Sequence, residues 1–239
     1  MFFKNTISMK FDILKLLYQN LHLLFLVICF GITLLKSKST AHLYTKVFPW
    51  FILLTIITEV VGITLSDVYE QNNLWLYNNY IAIEFWFYTW VVQQNLSRKK
   101  AKKIILGIAT GLLVVYLLNN FFGQGVKGFS SITYCLSCIF LILSCFYYFY
   151  ELFEKPSKTT LLRQPAFWLC TAFMFYFTCT FPIYGLANFI YNIIPKLIRN
   201  NIVIFIEILN VFFYSLLSIA FICQSVTRKS SQYLSLAVS

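Results

Sequence analysis

Charge is scarce in this chain, and negative charge most of all. Charged residues make up 11% of the sequence, only 8 of the 239 are Asp or Glu, and histidine occurs twice. An ordinary soluble domain carries about a quarter charged residues, so this composition excludes a soluble globular core. Glycine and proline are also few, 8 and 5. No GxSxG elbow and no zinc-protease helix is present. A lone intramembrane Ser, Thr or Cys can be catalytic, but no motif here names a catalytic residue.

What is present is apolar. Hydrophobic residues make up 59% of the chain and the mean hydropathy is +0.74. A membrane span needs roughly 20 predominantly apolar residues, and seven such runs occur, near Leu16–Leu35, Val47–Ser66, Leu74–Gln94, Ile104–Phe122, Ser131–Tyr150, Ala166–Ile190 and Ile202–Cys223. The expected architecture is all-α, a polytopic integral membrane protein of seven transmembrane helices. It divides into an N-terminal tail (1–15), one membrane domain (16–223) and a C-terminal tail (224–239), with no room for a separate soluble catalytic domain.

Basic residues orient the bundle, because cytoplasmic connections carry the excess of Lys and Arg. The connections after the first, third and fifth runs and the C-terminal tail hold thirteen, and the opposite side holds six. The N-terminus is therefore expected outside and the C-terminus in the cytoplasm. The basic tail before the first run resembles a signal-peptide n-region, but that run is too long for an h-region and Ser39-Thr40-Ala41 is a poor cleavage site. The net charge of +11 is scattered over short loops rather than gathered on a face, which argues against nucleic acid. Its densest part, Arg98, Lys99, Lys100, Lys102 and Lys103, is expected at the cytoplasmic surface, anchoring the third and fourth helices and attracting anionic lipid. A docking surface for an acidic partner is the sharper alternative.

Seven cysteines, Cys29, Cys135, Cys138, Cys145, Cys170, Cys179 and Cys223, all fall in the apolar runs. The Cys135/Cys138 pair lacks the soluble helix N-terminus that a redox CxxC requires, so all seven read as packing residues. His22 and His42 read as isolated groups at or near opposite membrane surfaces, with no recurring metal-ligand spacing; no metal and no cofactor is expected. The last run contains no lysine for a retinal Schiff base, no internal repeat relates the two halves, and the paired prolines of a three-plus-one-plus-three sugar transporter are not reproduced. Trp50, Trp75, Tyr44 and Tyr69 fit interfacial belts.

Against this apolar background three acids stand out. Glu59, Glu84 and Glu207 lie within apolar runs, where a carboxylate costs a few kcal/mol or more and marks a functional site by default. At about 1.5 Å per residue they lie roughly 12, 15 and 8 Å below the outer surface, in one layer. Helical spacing gives Glu59 the company of Thr55, Gly62 and Ser66, Glu84 that of Tyr77, Tyr80, Ile81 and Tyr88, and Glu207 that of Asn210 and Tyr214. The plainer reading is that protonated acids merely tie helices together, yet Ser, Thr or Asn would do so with less desolvation. Pro182, with Gly185 close behind, bends the sixth run near the level of Glu207 and is a candidate hinge.

The stretches Phe48-Pro49, Glu59-Val60-Val61-Gly62, Leu76-Tyr77-Asn78 and Ile83-Glu84-Phe85-Trp86-Phe87-Tyr88 resemble small seven-helix integral membrane proteins of bacteria with no assigned activity. The resemblance covers about a fifth of the chain and implies that Glu59 and Glu84 belong to a recurring pattern in a bacterial inner membrane protein. From the residues themselves we expect a receptor or sensor subunit. It would bind a small ligand or proton through Glu59, Glu84, Glu207, Tyr80, Tyr88, Asn210 and Tyr214 in an outward-facing acidic and aromatic cavity, and signal through a partner. A proton- or cation-coupled small-solute transporter is the alternative, followed by a membrane enzyme and a structural scaffold.

Overall fold

The computed structural model describes residues 21–37, 43–123, 128–154, 160–186 and 196–238. Among them seven helices follow one another: α1 (Leu21–Ser37), α2 (Leu43–Ile63), α3 (Leu74–Gln94), α4 (Lys99–Phe122), α5 (Ser131–Glu154), α6 (Pro165–Gly185) and α7 (Lys196–Val238). A chain this apolar can satisfy its backbone in lipid only by hydrogen bonding within each segment, which is what a helix does. Five helical segments are long and apolar enough to cross a membrane: Leu43–Val68, Lys99–Phe122, Ser131–Glu154, Pro165–Gly185 and Asn201–Cys223. The described part of α1 is 17 residues long. α3 carries Asn78, Asn79, Glu84, Gln93 and Gln94, and its polar groups keep it out of the apolar set. The tail 1–15, the start of the first run, His42, Ser39-Thr40-Ala41 and residues 187–195 lie outside the described residues.

Several boundaries differ from the sequence expectation. α2 begins at Leu43, before the expected Val47, with Pro49 buried within it, and ends in a wider π turn over Thr64–Val68. The basic run does not precede α4: Arg98 caps the helix and the four lysines fill its first turns. α7 does not stop at Cys223 but continues to Val238, for 43 residues.

α7 packs along α1 and α6, α6 along α5, and α3 along α4 and α5, with α2 bridging α1 and α3. The interior is aromatic. Phe51 stacks on Phe87 with ring centroids 4.0 Å apart, and Tyr88 on Phe173 at 4.5 Å. Trp50, Trp75 and Tyr69 are exposed as a belt requires, but Tyr44 is only 3% exposed and belongs to the core. No cysteine is in a disulfide.

Buried polar groups lock two ends of the bundle. At one, Asn78 of α3 donates to the Gly128 carbonyl at 3.0 Å and accepts from the Ser130 N–H at 3.3 Å, while Asn120 of α4 donates to the Asn78 carbonyl at 3.0 Å. At the other, Glu151 of α5 is 5% exposed and accepts from the backbone N–H of Ser97 and of Arg98. Glu154 pairs with the Arg98 guanidinium, which lies over the Tyr150 ring. These acids stand at the positive end of α4's dipole, where they offset its lysines. Glu151→Ala is expected to cost about 1.5–3 kcal/mol, the usual loss of hydrogen bonds to a charged group, read as a lower midpoint in thermal unfolding.

Candidate functional site

Two of the three acids that sequence spacing set in one layer are joined by a residue that spacing could not reach. His22 of α1 sits between two of them, with Nδ1 2.6 Å from Glu207 Oε2 of α7 and Nε2 4.0 Å from Glu59 Oε2 of α2. The three side chains are 9%, 14% and 23% exposed, in the order His22, Glu207, Glu59. Tyr77 of α3 donates to Glu59 Oε2 at 3.2 Å. Four helices thus contribute one titratable group each.

Local sequence explains this convergence. A side chain added at Gly62 would collide with the Tyr77 hydroxyl, so glycine is what lets the ring approach α2 and reach Glu59. Asn73 donates to the Gly62 carbonyl at 3.0 Å, which draws the start of α3 onto the end of α2. The π turn follows directly, and Thr64 donates back to the Val60 carbonyl at 2.7 Å within it. Such turns occur where a helix is deformed around a functional feature.

Glu84 is not in this triad but lies seven residues, about two helical turns, beyond Tyr77 in α3. Tyr80 donates to its Oε1 at 3.5 Å, Tyr88 lies near it one turn further on, and Tyr80 meets the Thr55 hydroxyl of α2 at 2.8 Å. Tyr214 of α7 is buried and within electrostatic reach of Glu59, Glu84 and Glu207. Asn210 is half-buried beyond Glu207 and contributes no hydrogen bond to either acid among the described residues. The layer therefore has two centres, His22 with Glu59 and Glu207, and Glu84 with its tyrosines.

Pro182 stands in the last turn of α6, where its carbonyl accepts from the Leu186 N–H at 3.2 Å. A Cβ at Gly185 would press on the Cys135 sulfur of α5. One turn earlier Thr180 accepts from the Tyr134 hydroxyl at 2.8 Å, so α6 is tied to α5 beside the proline. In the basic run, Lys102 donates to the Gln94 carbonyl at 3.0 Å and Arg98 is paired with Glu154, leaving Lys99, Lys100 and Lys103 as the outward-facing members.

The sequence reading of His22 as isolated is overturned. Its partner Glu207 is 185 residues away, beyond any helical periodicity. One signal was available: His22 falls six residues inside the first apolar run, where a polar ring needs a partner. Among the described residues, no group of three or more His, Cys, Asp and Glu could hold a metal ion. No protein-family model, curated protein or solved structure matches the chain.

Proposed function

We propose that the chain is a seven-span protein of the cell membrane, N-terminus outside and C-terminus cytoplasmic, that acts as a receptor or sensor subunit. It binds a proton or small cationic ligand at the His22, Glu59 and Glu207 cluster and signals through a partner. The observation that carries this reading is His22 held between two acids on two other helices. Histidine changes charge in the physiological pH range, and a change of charge there alters the attraction between α1, α2 and α7. α7 supplies the output: its 43 residues span about 65 Å, twice the roughly 30 Å of hydrocarbon. A shift at Glu207 is thus carried along one continuous helix to its far end. The Pro182–Gly185 end of α6 would serve as the hinge, and Lys99, Lys100 and Lys103 would attract anionic lipid at about 1 kcal/mol each.

A second reading, a proton- or cation-coupled transporter, is favoured by one observation. Glu84 lies seven residues beyond Tyr77, about 10 Å deeper, so carboxylates extend inward from the triad.

The test uses the full-length protein in nanodiscs, with a fluorescent label near the C-terminal end of α7. Between about pH 8 and pH 5 the wild type should show a transition, and His22→Asn and Glu207→Gln should lose it. Tetramethylammonium serves as the cationic probe at constant pH. A wild-type signal indifferent to both pH and the probe refutes the sensor. Solute uptake in proteoliposomes that collapses with the proton gradient and with Glu84→Gln would establish the transporter instead.

A further inference from the structure

Glu84 is surrounded unlike the other two acids. From its own helix it is met by Tyr80 and Tyr88, and α2 contributes Glu59. Tyr116 of α4, Cys138 of α5, Tyr176 of α6 and Tyr214 of α7 lie within electrostatic range of it on the other packed helices. No basic side chain is among these groups, so a proton is the simplest species that neutralises the carboxylate.

The hydroxyls beside it form a line with a direction. Glu84 Oε1 is 3.5 Å from Tyr80 Oη, Tyr80 Oη is 2.8 Å from Thr55 Oγ1, and Thr55 Oγ1 is 3.1 Å from the Phe51 carbonyl oxygen. Each hydroxyl has one hydrogen to donate. When Glu84 is ionised, Tyr80 donates to it, Thr55 donates to Tyr80, and the Phe51 carbonyl receives nothing from Thr55. When Glu84 is protonated, its O–H donates to Tyr80, Tyr80 donates to Thr55, and Thr55 donates to Phe51. One proton from solvent becomes the O–H of Glu84; Tyr80 and Thr55 keep their own protons and only rotate them.

Building on the reading that acids of this layer take up protons, we propose that Glu84 is a second proton-binding site whose occupancy reverses the Tyr80–Thr55 hydrogen-bond chain and so reports to the backbone of α2. A threonine bonded back to the carbonyl four residues earlier bends its helix. Making or releasing the Thr55–Phe51 bond therefore changes the bend of α2 one turn before Glu59. That moves Glu59 relative to His22, and the two centres of the layer become coupled.

Infrared difference spectroscopy of the full-length protein in nanodiscs, titrated with acid, tests this. A carboxylic C=O band should appear on acidification, vanish in Glu84→Gln and persist in Glu59→Gln and Glu207→Gln. In Tyr80→Phe the band should move to higher frequency, because the Glu84 O–H has lost its acceptor. Thr55→Val, which shortens the chain without touching Glu84, should displace the titration midpoint. A band that survives Glu84→Gln, does not respond to pH, or ignores both Tyr80→Phe and Thr55→Val overturns the proposal. The α7 label and the infrared band are separate readouts, so the sensor and the Glu84 site can fail independently. Tyr80→Phe and Thr55→Val remove one oxygen each or keep side-chain volume, and retained helical circular dichroism certifies the fold.

Discussion

A chain with leucine in place of His22 is expected to unfold about 10 °C below the wild type. The imidazole is 2.6 Å from Glu207 and 4.0 Å from Glu59, and its removal leaves two poorly exposed acids on α2 and α7 without the group that stands between them. Removing one partner of a buried ion pair costs about 3–5 kcal/mol, most of it the penalty of the charge left behind, and at this size each kcal/mol shifts the midpoint by about 2–4 °C. The source of the penalty can be isolated with a second substitution. If the uncompensated acid is what destabilises, His22→Leu combined with Glu207→Leu should recover much of the loss, giving a large coupling energy in a double-mutant cycle. Thermal scans at matched rates read both variants. Additive effects would mean that the two residues do not interact.

The second large effect is expected at Asn78. Leucine there has nearly the same volume but neither donates nor accepts, so the Gly128 carbonyl and the Ser130 N–H, paired at 3.0 and 3.3 Å, lose their partner. Each unsatisfied buried group costs about 1–3 kcal/mol, so the substitution should cost about 2–6 kcal/mol. Asn78→Asp keeps the acceptor for Ser130 and loses only the donor to Gly128, and is expected to cost less. The damage should also reach the site. Asn78 directly follows Tyr77, which donates to Glu59, and precedes Tyr80, which serves Glu84. Asn78 sets the rotation of α3, and Asn78→Leu should weaken the α7 response to pH at temperatures where the chain remains folded. Thermal unfolding and the labelled-α7 titration measure the two consequences separately.

The acids were legible because cost is local: a carboxylate in an apolar run is conspicuous whatever packs beside it. The rise of a helix also converts sequence position into distance along its axis, which is how spacing suggested comparable levels for acids on different helices. The partner groups divide along the same line. Gly62 with Glu59, and Tyr80 with Glu84, are one turn apart on a single helix, and periodicity finds such pairs. Tyr77 with Glu59 crosses between helices, and Asn78 with Asn120 and Ser130 joins a helix to a neighbouring helix and loop. Glu151 lies just past the fifth apolar run and drew no expectation, yet it holds the turn before α4, because nothing in its own neighbourhood reveals which backbone N–H groups arrive there.

Composition and hydropathy alone therefore determined an all-helical chain for a membrane and the apolar runs that form its helices. These follow from the solvent and from a repeat of 3.6 residues per turn, and neither depends on neighbours. Only the tertiary structure decided which way each helix faces, that Tyr44 is inside and Trp50 and Trp75 outside, and that His22 stands between Glu59 and Glu207. Rotation about a helix axis leaves depth unchanged, and in a chain apolar nearly all round no amphipathic stripe points each helix toward its neighbours. Contacts 185 residues apart arise when side chains from seven helices must fill one interior together, and that constraint is absent from any single segment.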